Sequence, residues 1–92
     1  MEIAEYKQRM ARREYIVGGS EAHALMHRMS SDAQRITCEI NGKYHTSEEL
    51  RALFSELTGQ AVDETFALFP PIYSDFGKNI TVGKGVFINS GC

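Results

Sequence analysis

From Phe76 onward the chain repeats in steps of six, and no other feature of the sequence restricts its fold as much. The steps read Phe76-Gly77-Lys78-Asn79-Ile80-Thr81, Val82-Gly83-Lys84-Gly85-Val86-Phe87 and Ile88-Asn89-Ser90-Gly91-Cys92. Phe76, Val82 and Ile88 fill the first position, Gly77, Gly83 and Asn89 the second, and Ile80, Val86 and Cys92 the fifth. Period six has a physical meaning: short strands joined by tight corners wind into stacked coils, with one bulky side chain per step turned inward. Gly or Asn beside that residue rounds the corner without a Cβ clash. An ordinary β-hairpin or two with glycine turns is the other arrangement this pattern admits.

The residues ahead of this tail carry a different period. Good helix formers fill Met1 to Tyr15, with Ile3, Tyr6 and Met10 on one stripe, and Val17-Gly18-Gly19 breaks the pattern. Ser20 offers an N-cap oxygen, and Glu21 stands in the first turn, where the helix dipole favours an anion. Ala22, Leu25, Met26, Met29, Ala33, Ile36 and Ile40 then recur at helical spacing, an amphipathic helix that either continues or breaks at Ser30-Ser31-Asp32, where a second N-cap is available, and that ends at Asn41-Gly42. Thr46 and Glu49 have capping-box spacing ahead of Leu50, Leu53, Phe54 and Leu57, and Gly59 is the expected stop. Pro70-Pro71 denies helix to this stretch of the chain and favours an extended backbone. The expected division is a helical region over 1–59 and a β segment over 60–92.

Composition narrows the functions. Ten Lys and Arg against twelve Asp and Glu give a net charge of −2, which argues against an electrostatically driven binder of nucleic acid or membrane surfaces. No apolar run approaches the ~18 residues of a membrane span. The start, Met1-Glu2-Ile3-Ala4-Glu5, has no apolar stretch and does not read as a secretory signal. Cys38 and Cys92 are far apart and read as reduced thiols of a cytoplasmic protein.

Pro70-Pro71-Ile72-Tyr73-Ser74-Asp75-Phe76-Gly77-Lys78-Asn79-Ile80, with Val82-Gly83 and Val86-Phe87-Ile88-Asn89, resembles the entry into the β-helix of the hexapeptide-repeat sugar O-acetyltransferases, the maltose and galactoside acetyltransferases. The helical half is similar in position and length to their N-terminal region. The resemblance implies an α+β fold: an N-terminal helical hairpin region followed by the first turn of a left-handed parallel β-helix. It further implies trimers that move acetyl from acetyl-CoA to a sugar hydroxyl, with a histidine as general base and an adjacent donor for the oxyanion. By position, Asp75 and Phe87 match acceptor-pocket residues, Asn89 matches an asparagine near the acetyl-transfer centre, and Glu21 matches an acidic acceptor contact, although the usual Gly-x-x-Tyr opening is absent here. None of His23, His27 or His45 matches the family's histidine. The expectation is therefore an N-terminal portion of such an enzyme, about one coil long and inactive alone, whose last strand is a template for another chain. Each also has a structural reading, Asp75 as a turn acceptor, Phe87 as an outward strand residue and Asn89 as a corner residue, and without the resemblance that reading is preferred for Asp75 and Phe87.

Two other readings are weaker. His23 and His27, four apart, share a helix face, but residue 24 is Ala rather than Glu, so solvated histidines and no metal are expected. Lys7, Arg9, Arg12 and Arg13 lack the aromatic or groove-reading partners that nucleic-acid binding needs, and they read as a solvated face beside Glu2, Glu5 and Glu14. The alternative to an acetyltransferase segment is a small helical interaction module whose β segment pairs with a partner chain.

Overall fold

The computed structural model describes residues 1–92. Three helices lead the chain: α1 over Ile3–Ala11, α2 over Glu21–Gly42 and α3 over Ser47–Thr58. An extended tail comes after them, carrying β1 (Ala67–Leu68), a 3-10 turn (Gly77–Asn79) and β2 (Phe87–Ile88). The two strands pair in parallel, Ala67 opposite Phe87 and Leu68 opposite Ile88.

The helix signals act largely as their chemistry suggests. Ser20 Oγ accepts the His23 N–H (3.2 Å) and donates to the Val17 carbonyl (2.6 Å), which starts α2. Thr46 Oγ1 accepts the Glu49 N–H (3.2 Å) while the Glu49 carboxylate accepts the Thr46 N–H (2.8 Å), a complete capping box. The Thr46 hydrogen bonds hold the Glu49 carboxyl below its ordinary pKa. Gly59 ends α3 in the left-handed region at φ 73°.

Three local details go beyond the sequence pattern or depart from it. Helix α1 stops at Ala11 rather than Tyr15, because Arg13 takes a left-handed φ of 59° and the Glu14 N–H turns back to the Arg9 carbonyl. Helix α2 runs unbroken through Ser30-Ser31-Asp32: the Asp32 carboxylate binds Arg35 and Lys78 instead of capping a new helix. Helix α2 ends at Gly42, where the Asn41-Gly42 signal puts its stop, but without a positive φ: the chain leaves through extended Lys43.

The main core joins all three parts of the sequence beyond residue 30. Ala33, Ile36 and Ile40 from α2, Leu50, Phe54 and Leu57 from α3, and Phe66, Leu68 and Ile72 from the tail are buried together. Phe54 and Phe66 stack with ring centres 4.7 Å apart. A smaller cluster sets Tyr6 of α1 against Ala22 and Leu25 of α2, and Phe76 stacks on Tyr6 at 4.9 Å.

The expected first turn of a left-handed parallel β-helix is not there. The tail forms only the two-residue parallel pair, and its first-position residues do not stack in a row. Phe76 belongs with Tyr6 in the smaller cluster, whereas Val82 and Ile88 border the main core. Ile80 and Val86 from the fifth position border that same core, and Cys92 is exposed. The reason is competition for apolar surface. Helices α2 and α3 already present a continuous apolar face, and the tail buries its side chains against that face rather than in an interior of its own. A six-residue spacing records where the apolar residues fall, not what they pack against.

Candidate functional site

The four residues singled out by resemblance lie in three places. Asp75 is exposed at the rim of an open cleft of about 440 Å³, lined by Gln34 and Thr37 of α2 and by Tyr73, Ser74 and Asp75 of the tail. Asn41 fixes the tail just ahead of the cleft: its side-chain amide donates to the Ile72 carbonyl (2.8 Å) and its amide oxygen accepts the Ile72 N–H (3.0 Å), so the tail runs fixed beside α2. On the other side, Phe76 anchors the chain in the Tyr6 stack. Burial, and after it the negative charge of Asp75, pushes the Tyr6 phenol above its ordinary pKa. No lysine, arginine or histidine lines this cleft.

Phe87 and Asn89 lie around β2. Phe87 is 51% exposed and meets Phe69, itself 58% exposed, edge to face at 4.9 Å. Asn89 is also exposed, and its side-chain oxygen accepts the Ser90 N–H at 2.8 Å. The chain just beyond it is tied back by a hydrogen bond from the Gly91 N–H to the Pro71 carbonyl (2.9 Å). Glu21 lies apart from both places, exposed at the start of α2, with the terminal amino group of Met1 3.9 Å away. The structure therefore brings Phe87 and Asn89 to one strand end, keeps Asp75 in a cleft of its own, and leaves Glu21 outside.

A second pocket, about 530 Å³, escaped the sequence reading. Lys43, Tyr44, His45, Ser47, Phe69 and Ser90 are among its lining residues, and it shares none with the Asp75 cleft. His45 is buried beside it, with Nε2 2.8 Å from the Glu39 carbonyl oxygen, to which it donates. The sequence signal was present in Tyr44-His45 next to the Thr46 cap, but only the fold brings Phe69 and Ser90 across to them.

No group of three or more His, Cys, Asp or Glu side chains gathers closely enough to hold a metal ion. No helix is long and apolar enough to cross a membrane. Compared with known protein families, with characterised proteins and with solved structures, the chain gives no significant match in any of the three.

Proposed function

We propose that this chain supplies part of the acceptor side of an acetyl-CoA-dependent O-acetyltransferase acting on a sugar-type hydroxyl. The reading rests on the resemblance of residues 70–89. The observation that supports it is the chemistry of the Asp75 cleft. Gln34 offers an amide, Thr37 and Ser74 hydroxyls, and Asp75 a carboxylate, with no cation among them. Such a mixture of donors and acceptors suits an uncharged polyol and disfavours a phosphate, which wants Arg, Lys or a helix N-terminus. Asp75 would accept from acceptor hydroxyls, with Phe87 and Asn89 completing the site in the assembled enzyme. Acetyl-CoA would be the donor, the working form a cytoplasmic homotrimer, and the general base a histidine other than His23, His27 and His45, none of which lines the cleft.

Titrating the ¹⁵N-labelled 92-residue chain with maltose and with galactosides tests this. Shifts should concentrate at Gln34, Thr37, Ser74 and Asp75 and vanish in Asp75→Ala. Absence of shifts at saturating millimolar sugar, or shifts indifferent to Asp75→Ala, would overturn the reading.

One observation favours the second reading, a helical interaction module. The Ala67 and Phe69 N–H groups donate to the carbonyls of Val86 (3.0 Å) and Ile88 (2.9 Å). Alternate residues of a parallel strand face opposite edges, so Phe87 faces the open edge, where a partner strand would add. A discrete hetero-complex broken by Phe87→Pro would support this module.

A further inference from the structure

We propose that His23 and His27 form a two-histidine chelate for a borderline-soft divalent metal ion at the start of α2, binding Cu²⁺ more tightly than Zn²⁺. This goes beyond acetyl transfer and uses none of the residues assigned to it. The two side chains lie one helical turn apart, and their Nε2 atoms are 3.0 Å from each other. Imidazole nitrogens sit about 2.0–2.1 Å from such a metal, so two of them subtending 90° to 109° stand about 2.8–3.4 Å apart. The observed separation falls inside that interval before any metal arrives. His27 is exposed and His23 half-buried, leaving the outer coordination positions to water.

The hydrogen bonds define how the pair opens. The Gly19 N–H donates to His23 Nδ1 at 3.1 Å, so in the neutral ring Nδ1 is the acceptor and the proton sits on Nε2. That proton is shared with His27 Nε2, whose own ring proton is then on Nδ1. Metal binding at both Nε2 atoms moves the His23 proton from Nε2 to Nδ1. The pair keeps both its protons, and two hydrogen bonds are given up: the one between the two Nε2 atoms and the Gly19 N–H bond in an exposed turn. Each ligated ring then carries its remaining N–H on Nδ1, the tautomer that ligating histidines adopt. The ordering of the metals arises from imidazole donors without a geometric cage, where affinity rises to a maximum at Cu²⁺.

The test is calorimetric titration of the full chain with CuCl₂ and ZnCl₂, each alone, at neutral pH. Cys38 and Cys92 are both exposed thiols, so the titrated protein carries Cys38→Ser and Cys92→Ser. The expected result is one equivalent bound, tighter for Cu²⁺, with affinity reduced roughly tenfold or more by either His23→Gln or His27→Gln. Circular dichroism checks that both variants keep their helix content. In a ¹⁵N spectrum, Zn²⁺ should shift the Gly19 amide and both imidazoles together. No binding at millimolar metal, binding unchanged in both glutamine variants, or binding lost instead in His45→Gln would each overturn the proposal.

Discussion

Lys78 Nζ lies 2.9 Å from the carbonyl oxygen of Leu57, at the C-terminal end of α3. The same ammonium reaches the Glu56 carbonyl (3.0 Å) and the Asp32 carboxylate on α2 (3.2 Å). One tail side chain thus satisfies orphan carbonyls of one helix and ties them to the other. Its aliphatic stem also lies against Gly59. Lys78→Met keeps the stem and removes the charge. We expect a loss of about 1.5–3 kcal/mol, the usual range for hydrogen bonds to a charged group, read as a lower urea midpoint with an unchanged slope.

Gly77 and Gly83 hold the same place in the six-residue pattern, yet they should respond oppositely to alanine. A Cβ on Gly77 would fall 2.5 Å from the Leu57 carbonyl oxygen and 2.5 Å from its Cδ1, whereas one on Gly83 would meet nothing within 4 Å. Neither glycine has a positive φ, so space alone separates them. Gly77→Ala should cost about 3 kcal/mol, because a backbone atom must move, while Gly83→Ala should change stability by less than about 0.5 kcal/mol. Equal costs in thermal melts would contradict the close approach of the tail to α3.

These glycines also show where the sequence was legible and where it was not. Caps are local chemistry: Ser20, Thr46 with Glu49, and Gly59 act within a few residues, and each was readable from its neighbours. The apolar stripe Ala33, Ile36 and Ile40 was equally plain, since helical period fixes a face whatever covers it. The tail was not legible, because its outcome depends on contacts about twenty residues distant, Gly77 against Leu57 and Lys78 against Glu56. Asp75 was singled out from a motif, but Gln34 and Thr37, which line the same cleft, lie on a helix face that gave no functional signal. Asn41 was read as a helix stop, and α2 does end at Gly42, but nothing local showed that its amide also serves Ile72 thirty-one residues on.

That Asn41–Ile72 pairing makes a further prediction. The side chain imitates a strand neighbour, giving one donor and one acceptor to a single backbone unit. Asn41→Ala leaves both groups of Ile72 without protein partners and should destabilise by about 1–3 kcal/mol. Asn41→Asp should also lose stability, because the carboxylate cannot donate to the Ile72 carbonyl. Urea titrations of the two variants decide this, and a neutral Asn41→Asp would mean that the donated bond contributes nothing.

Acid should weaken the fold through Asp32. The hydrogen bond from Arg35, with help from Lys78 and against a smaller opposing effect of burial, holds the Asp32 carboxyl below its ordinary pKa. A folded-state pKa lower than the unfolded one contributes stability that is present above the unfolded value and is lost as pH falls through the folded one. Asp63, held down by its hydrogen bonds with Thr65, and Glu49 act in the same direction. Melting temperature should therefore fall below about pH 4, the unfolded carboxylate range, and Asp32→Asn should make that fall shallower without abolishing it. An unaltered acid profile in Asp32→Asn would remove the α2–tail ion pair from the account of stability.

Arg13 offers a gain rather than a loss. It is the only residue other than glycine with a positive φ, 59°, and it sits where α1 turns off, with its N–H bonded to the Met10 carbonyl at 2.9 Å. A side chain in the left-handed region costs about 1 kcal/mol relative to glycine, which occupies that region freely. The Arg13 side chain is exposed and takes part in no ion pair or side-chain hydrogen bond, so little is lost on removing it. Against this stands the larger entropy of glycine in the unfolded chain, which offsets part of the gain. Arg13→Gly should still raise the melting temperature, and Arg13→Val, with a branch at Cβ, should lower it. The opposite order in scanning calorimetry would place Arg13 in a right-handed turn and extend α1 toward Tyr15.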